Sequence, residues 1–291
     1  VTTAATDEAI MQAACERAGV ASEAASPLSR HATSVWLLPD LGIVGRIDRS
    51  GDRERSERAV ALTRWLTRQG FRAVEPADVR QPVVVNGAAV TFWRHYPQGG
   101  RPKPAAEHLG SLLRQLHDLS EPPVSLSDYA PLVHLGAALG ADPPLDADDR
   151  QWLDERRDQL LSEYAQLDSA LGVGFIHGDA YPGNLLWDGG AVRLGDWDEA
   201  ARGPRELDLV NTNQGARFGR SASERQAFND AYGWDVTQWS GYRVLREMRD
   251  LHTLGAYIDR AAGGDAAAAG ELAHRIATLR AHDDEASWRP A

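Results

Sequence analysis

The chain has 291 residues, a formal net charge of −11, 43% apolar and 25% charged residues, a composition that excludes wholesale disorder and a fibrous architecture. The negative excess argues against a protein built to neutralise nucleic-acid phosphates, which needs clustered Lys and Arg, and fits cationic ligands or plain solubility equally well. The single cysteine, Cys15, excludes an internal disulfide and a thiolate zinc site, and no apolar run approaches the ~20 residues of a membrane span, so a cytoplasmic protein without membrane or nucleic-acid partners is expected.

The spacing predicts a short leading helix over 6–18 that ends at Gly19. Apolar runs at 35–38 and 42–47, split by Pro39-Asp40-Leu41, read as a hairpin, and 52–69 reads as a helix with Ala59, Leu62, Trp65 and Leu66 on one face. A second hairpin is predicted over 82–85 and 88–93, because Asn86-Gly87 is the strongest short hairpin-turn signal. Tyr96-Pro97-Gln98-Gly99-Gly100 marks a break in composition, and the domain boundary is placed there, giving 1–97 and 98–291. Beyond it, helices are predicted near 105–119, 148–167, 205–214, 223–232, 239–262 and 266–281, with 120–144 as a long connector. The only strand-like stretches in this half are 173–176, 184–187 and 191–194.

The stretch from Phe175 to Asp198 carries the chemistry. An apolar strand delivers His177, Gly178 and Asp179 into a loop, Asn184 follows Asp179 by five positions, and a short hairpin returns to Asp196. That order matches the catalytic half of a kinase site: a base aspartate, a metal-binding asparagine and a second metal-binding aspartate. Phosphoryl transfer through a loose transition state asks the protein to align the acceptor oxygen and to neutralise phosphate charge. Asp179 suits the first task, and the oxygens of Asn184 and Asp196 suit Mg2+ in the second. Taken singly, these residues are ordinary turn formers and caps; their combination behind an apolar strand is what points to catalysis. Walker, dinucleotide-fingerprint, zincin and nucleophile-elbow motifs do not occur.

Residues 177–184, with Gly195-Asp196-Trp197-Asp198 and the later Gly203-Pro204-Arg205-Glu206-Leu207-Asp208-Leu209, resemble the aminoglycoside phosphotransferase family. The resemblance implies an α+β, bilobal, protein-kinase-like fold: an N-terminal nucleotide-binding lobe of antiparallel sheet plus helix, a hinge near 93–97 and a larger, mainly helical lobe. It implies transfer of the γ-phosphoryl group of ATP or GTP to a hydroxyl of a small molecule, and it gives Asp208 the part of tying the loop down. Arg46 sits where that family places a basic residue for the phosphates, the only Lys, Lys103, lying beyond the boundary. Glu57 is its matching ion-pair candidate, with a solvated surface glutamate as the plainer reading. Thr33 and Ser34, in a glycine-free turn over 29–34, are phosphate-loop candidates. Trp93, His95 and Tyr96 occupy the hinge that would meet a purine, or are simply core aromatics.

The expected acceptor is an antibiotic, aminoglycoside or nucleoside in type, with Asp198 and Glu199 attracting an aminated ligand and Glu206 close by in sequence. Trp152, Trp234, Trp239 and Tyr242 are core residues by default and stacking surfaces for a sugar or nucleobase otherwise. The alternatives are a choline, homoserine or sugar kinase of primary metabolism, and a nucleotide-binding module without turnover.

Overall fold

The computed structural model describes residues 6–30 and 34–290. Its contacts divide the chain into two compact units: Val1–Pro104 with Leu119–Leu126 and Gly183–Ala200, and Ala105–Asp118 with Ser127–Pro182 and Ala201–Ala291.

In the first unit, helix α1 (Asp7–Ala18) starts on a Thr6 cap and stops at Gly19 in the left-handed region. A five-stranded antiparallel sheet follows, in the order β1-β2-β3-β5-β4, from β1 (Ser26–Arg30), β2 (Ser34–Leu38), β3 (Ile43–Asp48), β4 (Val83–Val85) and β5 (Ala88–Arg94). The Pro39–Leu41 link is one turn of 3-10 helix. Strand β1 is an addition to the sequence reading, which had a turn where Ser29 and Arg30 pair with Val35 and Ser34. Asn86 and Gly87 take φ 49° and 82°, the two positive values a tight hairpin demands. Helix α2 (Arg53–Arg68) is capped by Asp52 and buries Ala59, Val60, Leu62, Thr63, Trp65 and Leu66. A separate apolar core forms under α1 from Ile10, Met11, Trp36, Leu38, Ile47, Val90 and Phe92. The antiparallel sheet with a helix is the construction expected for the N-terminal half.

The hairpin β7 (Leu185–Asp188) and β8 (Ala191–Leu194) also belongs to this unit. Its anchor is backbone: Val74 N donates to Leu194 O at 2.9 Å and Leu194 N to Arg72 O at 2.9 Å.

The second unit is helical: α3 (Ala106–His117), α4 (Val133–Gly140), α5 (Ala147–Ala165), α6 (Leu207–Gln214), α7 (Ala222–Tyr232), α8 (Tyr242–His252), α9 (Leu254–Ala262) and α10 (Ala266–Arg280). It holds a two-stranded antiparallel pair, β6 (Val173–Ile176) with β9 (Ala201–Pro204). Three features depart from the sequence reading. Helix α4 lies inside the expected connector. Strand β9 exists because Ala201-Arg202-Gly203-Pro204 pairs with β6, a partner 28 residues away that local propensity does not reveal. The expected 239–262 helix is two helices, parted at Thr253, whose hydroxyl turns back to Asp250 O at 3.0 Å while accepting from Arg275 at 2.9 Å.

Helices α3 and α7 approach closely at Gly110, where an added Cβ would stand 2.3 Å from the Phe228 carbonyl oxygen. Gly110→Ala is therefore expected to lower the free energy of unfolding by about 1–3 kcal/mol, the usual cost of overpacking; a denaturant titration checks it, and a neutral result means the helices part without cost.

Candidate functional site

Strand β6 is buried at Gly174, Phe175 and Ile176 and carries the chain to His177, which is wholly buried. The loop after it turns at Gly178, with φ 84°, a value that favours glycine. What holds this turn is Asp208, 0% exposed at the start of α6. Its Oδ2 accepts from His177 N at 2.8 Å and its Oδ1 from Gly178 N at 2.8 Å, while His117 Nε2 lies 3.0 Å from Oδ2. Burial alone would raise the Asp208 pKa, but the His117 hydrogen bond and the loop amides outweigh it and hold the carboxyl below its ordinary value. Glu206 is equally buried and accepts from Ser169 Oγ and Leu171 N, both at 2.7 Å.

Asp179 then stands at the edge of this turn, part-buried. Its Oδ1 accepts from Arg249 of α8 at 2.6 Å and from Asn211 of α6 at 3.3 Å. Neither partner was singled out from sequence. Asn211 lies three residues past Asp208 on the same helix, which is the one local signal that could have found it.

In the first unit, Asn184 and Asp196 are joined through the backbone, Gly195 N donating to Asn184 O at 2.9 Å. Asp196 is held at φ 61°, left-handed for a non-glycine residue, the kind of strain that gathers at functional sites. The turn of 3-10 helix Trp197–Glu199 is buried at Trp197, whose indole donates to Leu194 O at 2.9 Å and meets Phe71 edge-on. Arg46 of β3 reaches across to this turn, with 3.0 Å to Asp196 Oδ1 and 2.8 Å to Asp198 Oδ2. Burial would depress the guanidinium, but Asp196, Asp198 and Asp48 together hold its pKa above the ordinary value. Asp198 is itself shifted up, because burial, with Asp196 and Asp48 adding, outweighs the pull of Arg46 and Arg55. Arg55 of α2 donates to the Asp198 carbonyl at 3.2 Å and pairs with Glu199.

Mg2+ fits this group on two grounds. Asn184 and Asp196 offer only hard oxygen donors, and around Arg46 the carboxylates of Asp48, Asp196 and Asp198 outnumber the cation. Among the described residues no group of three or more His, Cys, Asp and Glu is placed to hold a metal ion.

The expected Arg46–Glu57 pair does not form. Glu57 is on the exposed face of α2 and accepts from Arg53 one turn earlier at 2.7 Å; the face turned to Asp198 carries Arg55 instead. Thr33 lies outside the described residues. Ser34 is buried, and its hydroxyl donates to Asp7 Oδ2 at 2.5 Å. At the hinge position, Trp93 and Tyr96 are core side chains: the Trp93 indole donates to Thr91 Oγ1 at 2.8 Å and the Tyr96 hydroxyl accepts from Glu75 N at 3.1 Å. The main chain there is also engaged, His95 N donating to Gly42 O at 2.9 Å and Tyr96 O accepting from Gln98 at 2.6 Å.

A basic residue on the third strand, an Asp-x-x-x-x-Asn loop and a following Asp-Trp-Asp turn define a kinase-like phosphotransferase. Residues 27–251 match the model of the phosphotransferase enzyme family APH, and the chain belongs to that family: it is an O-phosphotransferase with a nucleotide donor and an alcohol acceptor. Among solved structures it resembles the amicoumacin kinase hAmiN, in complex with AMP-PNP, Ca2+ and Ami, at a TM-score of 0.77 and 14% identity over 98% of this chain and 96% of that one. It also resembles a choline/ethanolamine kinase family protein from Mesorhizobium loti (TM-score 0.63, 16% identity, 88% and 87% covered) and the aminoglycoside phosphotransferase APH(3'')-Id from Streptomyces rimosus (0.61, 16%, 85% and 99%). These likenesses establish the protein-kinase-like fold. Comparison of the sequence with curated proteins gives no match. No helix among the described residues is long and apolar enough to cross a membrane.

Asp208→Ala leaves two buried amides and His117 unserved and is expected to cost about 3–5 kcal/mol. Because its folded pKa lies below the ordinary 3.8, the wild-type contribution is present above that pH and lost as pH falls through the folded value; denaturant unfolding at pH 7 and pH 3 measures both. Burial and the neighbouring Arg249 push His252 down from 6.5 to about 4. The unfolded chain therefore takes up this proton first, and stability falls between pH 6.5 and 4. His252→Gln flattens that part of the profile; an unchanged slope refutes the assignment.

Proposed function

We propose that the chain moves the γ-phosphoryl group of ATP or GTP, with Mg2+, onto a hydroxyl of an antibiotic-type natural product, in the cytoplasm and as a resistance mechanism. The observation that carries this reading is the pair of bonds from Arg46 to Asp196 and Asp198, which joins a β3 cation to the Asp-Trp-Asp turn some 150 residues later. In the proposal, 1–97 is the nucleotide-binding part and 98–291 the catalytic and acceptor-binding part, with the hinge near 93–97. The ion, when bound, neutralises charge on the β- and γ-phosphates. Asn184 and Asp196 hold it, and Arg46 serves the phosphates. Asp179 orients the acceptor hydroxyl and takes its proton as the oxygen attacks phosphorus. Ser34, Thr33, Trp93, His95 and Tyr96 stay as proposed contributors to the nucleotide-binding region rather than as catalytic groups.

The antibiotic acceptor is supported by the named activities of the amicoumacin kinase and of APH(3'')-Id. The choline kinase LicA from Streptococcus pneumoniae and the choline/ethanolamine kinase family protein support a second reading, a small alcohol of primary metabolism. Asp198 and Glu199, expected to draw an aminated ligand, are already paired with Arg46 and Arg55, so a cationic acceptor gains less from them than the sequence implied.

A panel assay with labelled triphosphate is expected to show transfer to an antibiotic, with Asp179→Ala lowering kcat by about 10²–10⁴-fold, the range for loss of a general base. Glu57→Gln, a surface change, should alter kcat by no more than about twofold. Transfer to choline, homoserine or a simple sugar alone moves the enzyme into primary metabolism. No turnover with any alcohol sinks the reading.

A further inference from the structure

The surroundings of Asp179 contain a feature that the kinase reading does not require. Arg249 and Asn211 converge on one oxygen of its carboxylate from two different helices. Those helices are locked to each other one turn away. Gln214, three residues after Asn211 on α6, donates to Asp250 Oδ1 at 2.7 Å, and Asp250 is the residue next to Arg249 on α8. Arg217 completes the lock with 3.0 Å to Asp250 Oδ2, and all three groups are buried. Behind Arg249, the apolar face of α8 buries Val244, Leu245, Met248 and Leu251. The guanidinium is thus placed by packing, not left to swing, and its Nε is itself buried without a partner among the described residues.

We infer, resting on the proposed role of Asp179 as the base, that Arg249 is a positioning residue for the Asp179 carboxylate and a charge filter for the acceptor. It admits alcohols whose reactive hydroxyl is flanked by neutral or anionic substituents and disfavours an ammonium at that place. A fixed cation 2.6 Å from Asp179 Oδ1 cancels the pull of that carboxylate, and an ammonium brought to the Arg249 side of it meets the guanidinium first and is repelled. The other groups nearby do not reverse this: Asn211 is neutral, and the lowered pKa of His252 keeps it neutral at pH 7. His134 carries its own carboxylate, Asp259, at 2.8 Å. An anionic or neutral group beside the hydroxyl instead meets a guanidinium with donors in a planar fork, suited to carboxylate or phosphate.

Phosphoryl transfer from labelled ATP and GTP is measured for wild type, Arg249→Gln and Arg249→Lys. The panel matches every amine-bearing alcohol, glucosamine and serinol among them, with its N-acetyl derivative, and thermal unfolding is recorded for each protein. In the wild type the N-acetyl member of a pair is expected to react about tenfold faster or more. Arg249→Gln should bring the pair to within about threefold and lower kcat for the N-acetyl member about tenfold, with KM for the nucleotide unchanged. Arg249→Lys keeps the charge and loses the planar fork, so it should keep the discrimination while kcat drops; it decides the matter if the glutamine variant does not fold. A wild type that prefers the free amines, or an Arg249→Gln protein with wild-type kcat and wild-type preference, overturns the inference and leaves the kinase reading standing. A wild type inactive toward every alcohol overturns the kinase reading and this inference with it.

Discussion

The loop at 177–179 depends on one buried carboxylate. An ionised aspartate with no exposure to water is costly unless hydrogen bonds replace its hydration, and Asp208 has three donors around it: the amides of His177 and Gly178 and the ring of His117. The same bonds consume two amides that a left-handed turn at Gly178 would otherwise leave buried and unpaired. Carboxylate and loop therefore stabilise each other, and Asp179 inherits its place from that exchange. Two residues earlier Glu206 does the like for the loop at 169–171. Glu206 and Asp208 thus form a structural frame, both carboxylates being buried and held by internal donors.

The first unit solves a different problem. Asp196 and Asp198 are two residues apart in a strained turn, with Asp48 adding to their field. Arg46 is the cation that makes this arrangement tolerable, and Trp197 between the two aspartates fastens the turn by its indole bond and its contact with Phe71. The metal candidates and the phosphate candidate are consequently one electrostatic unit. A change at any of them shifts the charge balance felt by the others.

Much of this was legible in the sequence because the signals are local. Asn86-Gly87 fixes a hairpin through its two positive φ values, and Gly19 marks a helix end by capping. The 177–196 constellation is legible because its spacing is set by a short loop and hairpin. What was hidden depends on partners distant in the chain. Strand β9 is defined by β6, and Arg249 acquires meaning only when α8 is laid beside α6. Glu57 shows the opposite failure: a helix position was assigned an ion pair by analogy, while the phase of α2 gives the inward place to Arg55 and leaves Glu57 to Arg53. Burial at Ser56, Ala59, Val60 and Thr63 fixes that phase, and a hydrophobic count alone does not discriminate between two charged residues flanking the stripe.

Net charge is a weak signal about a ligand. A formal −11 fits a cationic ligand or plain solubility equally, and the acidic residues closest in sequence to the loop at 177–184 are spoken for: Asp198 by Arg46, Glu199 by Arg55, and Glu206 and Asp208 by buried donors. At Asp179 the balance is cancelled, since Arg249 supplies a fixed cation beside the carboxylate. Screening over about 8 Å at physiological salt means that remote surface carboxylates contribute little at these points. In the proposed reading, the field that an acceptor meets is set by pairs within a few ångströms, and their arithmetic, not the total over the chain, decides which charge the site favours.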